Sequence, residues 1–150
     1  MNEILDLLKK EITYLKKLKL AIGDIHGHIH SLAVKAAKMY LEAKHRKVES
    51  WELSEKYAGG IDIVGRDAHH SRIVVAEVKT TARSEKESLG SPQKSRIKKD
   101  VEKLCKTGAS YKYLFIIDNK NRKAFEDILK NNQKTAINLV NILEWLKNLE

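Results

Sequence analysis

Two apolar runs in this chain carry charges where a buried strand would ordinarily carry none. Ile61-Asp62-Ile63-Val64 is interrupted by one acid, and Val74-Val75-Ala76-Glu77-Val78-Lys79 by an acid and a base two residues apart. Side chains alternate faces along a strand, so Glu77 and Lys79 point one way and Val78 the other. The segment Asp67–Ser71 between the runs reads as a hairpin loop, which brings Asp62 beside Glu77. Two carboxylates in a partly dry place repel each other. A divalent cation, which takes oxygen ligands, removes that cost. A nearby ammonium, Lys79, can orient a water or stabilise the negative charge of a pentavalent phosphorus. Water activated by the cation would attack phosphorus in line, and the cation would ease departure of the 3′ oxygen. The spacing Asp62-x14-Glu77-x-Lys79 thus suits phosphodiester hydrolysis. The plainer alternative is a surface Glu-x-Lys pair on an edge strand, with Asp62 as a turn residue.

These residues need a frame. Asn2–Leu20 places Ile4, Leu5, Leu8, Ile12, Leu15 and Leu18 at amphipathic helical spacing. Two glycines in Gly23–His28 break that helix. Ser31–Lys44 forms a second, with Leu32, Ala36, Met39 and Tyr40 on one face. Lys47–Leu53 predicts a first strand and Tyr57-Ala58-Gly59-Gly60 a turn. Ile61–Gly65 and Arg72–Thr81 are the charged strands, and Ser84–Ser91 is a polar loop. Ser91 is the expected N-cap of a helix with Pro92 in its first turn. That helix runs to Lys106 on a stripe of Ile97, Val101 and Leu104, and Gly108 ends it. Tyr111–Ile117 is an apolar strand apart from Lys112, expected inside the sheet. Arg122–Lys130 and Ile142–Leu149 predict helices, with a short strand at Thr135–Val140 between them. The expected fold class is α/β: one domain over residues 1–150, a mixed sheet flanked by helices.

The chain has 150 residues, enough to bury a core, and 42% of them are hydrophobic. Lys and Arg number 29 against 20 Asp and Glu, a net charge of +9. Such a balance points to a polyanionic partner; nucleic acid is the usual one, an anionic membrane surface the competing one, and a merely solvated surface the plain one. No apolar run is long enough to span a bilayer, and the acids among the N-terminal leucines do not suit a signal peptide. The single cysteine, Cys105, allows no intrachain disulfide, which predicts a cytoplasmic protein. Its place beside Leu104 suits a packing thiol.

Gly60-Ile-Asp-Ile-Val64 followed by Ala76-Glu-Val-Lys-Thr-Thr81 resembles the PD-(D/E)XK nuclease superfamily, with Ile61 in place of the proline of its name. The resemblance covers roughly residues 31–117 and is nearest to small junction resolvases, Mrr-like enzymes and short restriction endonucleases. It implies a restriction-endonuclease-like αβββαβ core with extra N- and C-terminal helices. It also implies an enzyme that cuts DNA with Mg2+ or Mn2+, often as a homodimer, without a small-molecule organic cofactor. Asp62 and Glu77 would bind the metal, with the Val78 carbonyl as a further ligand, and Lys79 would position or activate the water. Ser91-Pro-Gln-Lys-Ser-Arg96 resembles the start of the helix that often supplies a Lys or Gln near the scissile phosphate, making Gln93 and Lys94 candidates. Many relatives carry a glutamate on the helix before the first strand. Val34 stands at the equivalent position, and His30, one turn earlier, is a candidate for a supporting role.

Arg83, Lys86, Lys94, Arg96, Lys98, Lys99, Lys103 and Lys106 follow the Glu-x-Lys strand, and Arg96, Lys99, Lys103 and Lys106 share a helical face away from the Ile97 stripe. They are the expected contacts to DNA phosphates. No base-reading residue is identifiable, and the kind of DNA cut stays open. A non-catalytic DNA-binding module on the same fold is the rival reading. Ile22-Gly-Asp-Ile-His-Gly27 imitates the first metal motif of calcineurin-like phosphoesterases, but the remaining motifs do not follow. His26, His28 and His30 could bind zinc if extended on one face of a loop, though no fourth ligand accompanies them; the plainer reading is a glycine-bounded loop that places a histidine at the active site or meets solvent. His69 and His70 fall at the hairpin tip and are expected in solvent.

Overall fold

The computed structural model describes residues 2–22, 26–54, 60–81, 89–117, 119–131 and 136–149. Along the chain run α1 (Asn2–Ile22), α2 (His26–Lys44), β1 (Ser50–Leu53), β2 (Ile63–Arg66), β3 (Arg72–Lys79), α3 (Ser91–Lys106), β4 (Tyr111–Ile116), α4 (Arg122–Lys130), β5 (Ile137–Asn141) and α5 (Ile142–Lys147). The strands lie in sequence order in one sheet. β1, β2 and β3 form an antiparallel meander, and β3, β4 and β5 run parallel. This is the mixed α/β sheet flanked by helices that the sequence predicts, and it is consistent with a restriction-endonuclease-like fold.

Alternation along β3 decides what each face meets. Val74, Ala76 and Val78 join Tyr113, Phe115 and Ile117 in a core closed by Ile12 of α1, Ile29, Ala33, Ala37 and Leu41 of α2, and Ile142 and Leu146 of α5. On the opposite face, Leu114 and Ile116 pack under Ile97 and Val101 of α3 and Phe125 and Ile128 of α4. Val75 and Val64 meet Leu104 there. Covering on both faces explains why β4 is apolar from Tyr113 to Ile116. Truncating Ile12, Leu41 or Ile142, each at 0% exposure, to alanine would cost about 2–5 kcal/mol. At Gly65 a Cβ would stand 2.8 Å from the Trp51 ring and 3.1 Å from Val48, so the close approach of β1 requires glycine there.

The hairpin tip is built by Asp67, whose carboxylate accepts hydrogen bonds from the N–H groups of His69 and Ser71 at 2.9 Å. His70 adopts φ 58°, and both histidines are exposed, as expected. α5 is capped by Asn141, whose side chain accepts from the Glu144 N–H at 3.1 Å.

Several local expectations are corrected. The N-cap of α3 is Gly90, one residue before Ser91, while Pro92 does lie in the first turn. α2 begins at His26, so the His-x-His-x-His run is helical rather than an extended loop. Residues two apart on a helix diverge by roughly 200°, so His28 and His30 point to different faces. Burial of Ile29 and Ala33 outweighs the helix cost of Gly27, about 1 kcal/mol. Asp62 stands just before β2 instead of within it. Gly23 and Asp24 of the phosphoesterase-like motif, most of the turn ending at Gly60, and Arg83 and Lys86 lie outside the described residues.

Candidate active site at the carboxyl end of β3

β3 delivers the central acid. Because Val74, Ala76 and Val78 are taken by the α1/α2 face, Glu77 and Lys79 must face α3. Glu77 is only 2% exposed. The register Ile63↔Ala76, carried one residue further, sets Asp62 opposite Glu77. Past that last pair, the backbone N–H of Val78 donates to Asp62 Oδ2 at 2.7 Å, which fixes the carboxylate. His30 of α2 comes to Asp62 from the other side, with Nε2 3.4 Å from Oδ1.

α3 closes the site with two residues. Asp100 falls on the same helical stripe as Ile97, Val101 and Leu104, so it is aimed at the sheet. Its carboxylate pairs closely with Lys79 and lies 2.8 Å from the Lys103 ammonium. That ammonium is in turn 3.0 Å from Glu77 Oε1, while Lys79 is 3.6 Å from Oε2. Glu77, Lys79, Asp100 and Lys103 thus form a closed ring of alternating charge. Lys103 is a charge partner of the buried Oε1 at 3.0 Å, in a geometry short of a well-formed hydrogen bond.

The two facing carboxylates titrate apart. Burial, with the charge of Asp62 next and that of Asp100 adding, pushes Glu77 up to about 7 against the opposing pull of Lys79 and Lys103. Burial acts on Asp62 in the same direction, but the His30 contact, the Val78 N–H and the charges of His30 and Lys79 outweigh it and hold Asp62 below the usual range. One carboxylate stays ionised while the other exchanges a proton near neutrality.

A cleft of about 570 Å³ opens at the end of β3 and reaches this ring at Lys79 and Asp100; Asp62 and Glu77 lie behind its wall rather than in it. Among the residues singled out from sequence, His30, Val78, Lys79, Gln93, Arg96 and Lys99 line it. Lys19 of α1, Thr80, Thr81 and Asp100 line it too and were not singled out. For Asp100 the signal was present: an acid spaced three residues from Ile97 and four from Leu104 occupies a core-facing position. A second cleft, about 590 Å³, includes Gly60, Ile61, Arg72, Lys103 and Lys106 in its wall. The face expected to carry Arg96, Lys99, Lys103 and Lys106 together is therefore divided between two clefts, and Lys103 is turned inward to Glu77 and Asp100. Lys94 and Lys98 are exposed on α3 and His28 is exposed on α2. Val34 is buried in the core, so no acid comes from that position of α2.

Residues 34–140 match the family described as Uncharacterised protein family UPF0102. The chain belongs to the UPF0102 family. That family is part of the PD-(D/E)XK nuclease superfamily, the superfamily whose resemblance the Asp62, Glu77 and Lys79 motif carries. The matched span of this UPF0102 member contains Asp62, Glu77, Lys79, Asp100 and Lys103; α1, His30 and α5 lie outside it. No curated protein and no solved structure matches the sequence. Among the described residues no helix is long and apolar enough to cross a membrane.

The donor set bears on whether a metal fits. Among the described residues no group of three or more His, Cys, Asp or Glu side chains is arranged as a metal cage. A Mg2+-type ion does not need one: it binds through one or two carboxylates and keeps much of its water. Glu77 Oε1, buried and without a well-formed hydrogen bond, beside an ionised Asp62, fits that requirement.

Proposed function

We propose that this UPF0102 member is a divalent-metal-dependent DNA endonuclease that hydrolyses phosphodiester bonds at the β3 cleft. The observation that carries the reading is Glu77: a buried carboxylate with an oxygen lacking a well-formed hydrogen bond, next to Asp62 and Lys79, behind a basic cleft. Asp62 and Glu77 hold the cation, Mg2+ or Mn2+, with the Val78 carbonyl as a backbone ligand. The bound ion supplies Lewis acidity and lowers the pKa of water. Lys79, held by Asp100, presents its ammonium to the attacking water and the phosphate. His30 supports Asp62 from α2. Gln93, Arg96 and Lys99 face the phosphates on the near side of the cleft. Water oxygen joins phosphorus as the bond to the 3′ oxygen breaks, and a proton goes to that leaving oxygen. Ile4, Leu7 and Tyr14, exposed on one side of α1, accord with a homodimer, which light scattering of the pure protein tests.

Plasmid and four-way-junction DNA incubated with the protein in Mg2+, in EDTA, and with Glu77→Ala test the function. Metal-dependent cutting lost in Glu77→Ala supports it. DNA binding without cutting in any metal would favour the non-catalytic binding module instead. Discrete plasmid fragments would indicate a sequence-reading nuclease, and paired nicks confined to the junction a resolving one.

A further inference from the structure

We infer that Lys103 is the resident counter-cation of this site, its ammonium standing beside Glu77 where a divalent cation binds, so that the two compete. The inference rests on the metal site proposed above and assigns a regulatory residue within it. Lys103 is a poor fit to a simple phosphate contact, because its ammonium faces inward, 3.0 Å from Glu77 and 2.8 Å from Asp100. A buried carboxylate left without positive charge is costly, and Lys103 supplies that charge in the metal-free protein.

Charge balance says which lysine gives way. Asp62, Glu77 and Asp100 carry three negative charges when ionised, and Lys79 with a divalent cation carries three positive ones. Retaining Lys103 as well would leave an excess cation in a half-buried cluster. Lys79 is the tighter of the two, 19% exposed and closely paired with Asp100, whereas Lys103 is 36% exposed. Lys103 also has somewhere to go. It lines the second cleft, where the Gly60 carbonyl already accepts a hydrogen bond from it at 3.3 Å. Displaced there, its ammonium joins Lys106 and Arg72 and becomes available to a phosphate.

Mn2+ binding to the full chain without DNA, followed by electron paramagnetic resonance, tests this. Lys103→Met, which keeps the length of the stem and removes the charge, should bind Mn2+ about tenfold more tightly than wild type; Lys103→Arg should stay near wild type. Equal or weaker binding by Lys103→Met overturns the inference and leaves the nuclease reading intact. Absence of Mn2+ binding in wild type and variant alike would remove the metal site, and both readings with it. A second measurement needs no variant. Acylation of Lys103 in the wild-type protein, read by mass spectrometry against exposed Lys98, should rise several-fold when Mn2+ is added. Unchanged labelling in the presence of bound Mn2+ would contradict displacement.

Discussion

Two polar clusters along the sheet are treated in opposite ways. Near the amino end of β4, His45 Nε2 lies 2.8 Å from the Tyr113 hydroxyl, and Lys44 donates to the Tyr40 hydroxyl at 3.2 Å. Tyr40 packs edge-on against Tyr113, Phe115 and Trp145. Burial, aided by the Lys44 charge, lowers the His45 pKa and so favours the neutral ring beside its hydroxyl partner. At the carboxyl end of β3, Glu77 keeps one oxygen without a well-formed hydrogen bond and is raised to about 7. The first place shows polar atoms matched so that burial costs little. The second keeps an acid under tension beside two ammonium groups, an arrangement that stability alone does not call for and that cation binding would relieve.

Glu77→Gln breaks the contrast most directly. Cleavage in Mg2+ should fall by about 10²- to 10⁴-fold, read from initial rates on plasmid, while the fold persists. The same variant reports on stability. Because Glu77 is raised from 4.5 to about 7, the folded state binds its proton more tightly than the unfolded chain. Its contribution is therefore greatest below pH 4.5, drains as pH climbs toward 7, and is flat above. Urea midpoints should decline across that window in wild type and decline less in Glu77→Gln. Asp62, held below its ordinary value, acts in the opposite sense and loses its contribution as pH falls through the acid range.

Asp100→Asn sharpens the comparison from within the ring. It leaves the shape but frees Lys79, so kcat should drop between about 10- and 100-fold with DNA affinity nearly unchanged. His45→Ala tests the other region. Leaving the Tyr113 hydroxyl unmatched should cost about 1–3 kcal/mol in urea unfolding, without altering the cleavage rate of folded protein. The smallest effect is expected from Lys99→Gln. It should weaken DNA binding similarly for all sequences and reduce the slope of log affinity against log salt by about one.

The same contrast shows what could be read in advance. Alternation along Val74–Lys79 and the hairpin at Asp67 were enough to bring Asp62 and Glu77 together, because a strand period and a short loop are local properties. The run of helices and strands followed from apolar periodicity for the same reason. The ring was not legible in full. Lys103 looks outward on a helical wheel, and only the position of α3 over Glu77 turns its long stem inward. Asp100 was readable as a charge on a core stripe, but a count of basic residues passes over it. The histidine run does place His30 at Asp62, but from a helix where its glycines suggest a loop, because packing of Ile29 and Ala33 in the core carries α2 through Gly27. His45 and Tyr113, 68 residues apart, meet only through the fold.

The central claim is that Asp62 and Glu77 share a divalent cation, and anomalous diffraction from crystals soaked in Mn2+ tests it most directly. The account predicts a peak about 2.1 Å from a carboxylate oxygen of each residue, with the Lys103 ammonium withdrawn from Glu77. A peak elsewhere, or none with Lys103 still seated on Glu77 at saturating Mn2+, would contradict it.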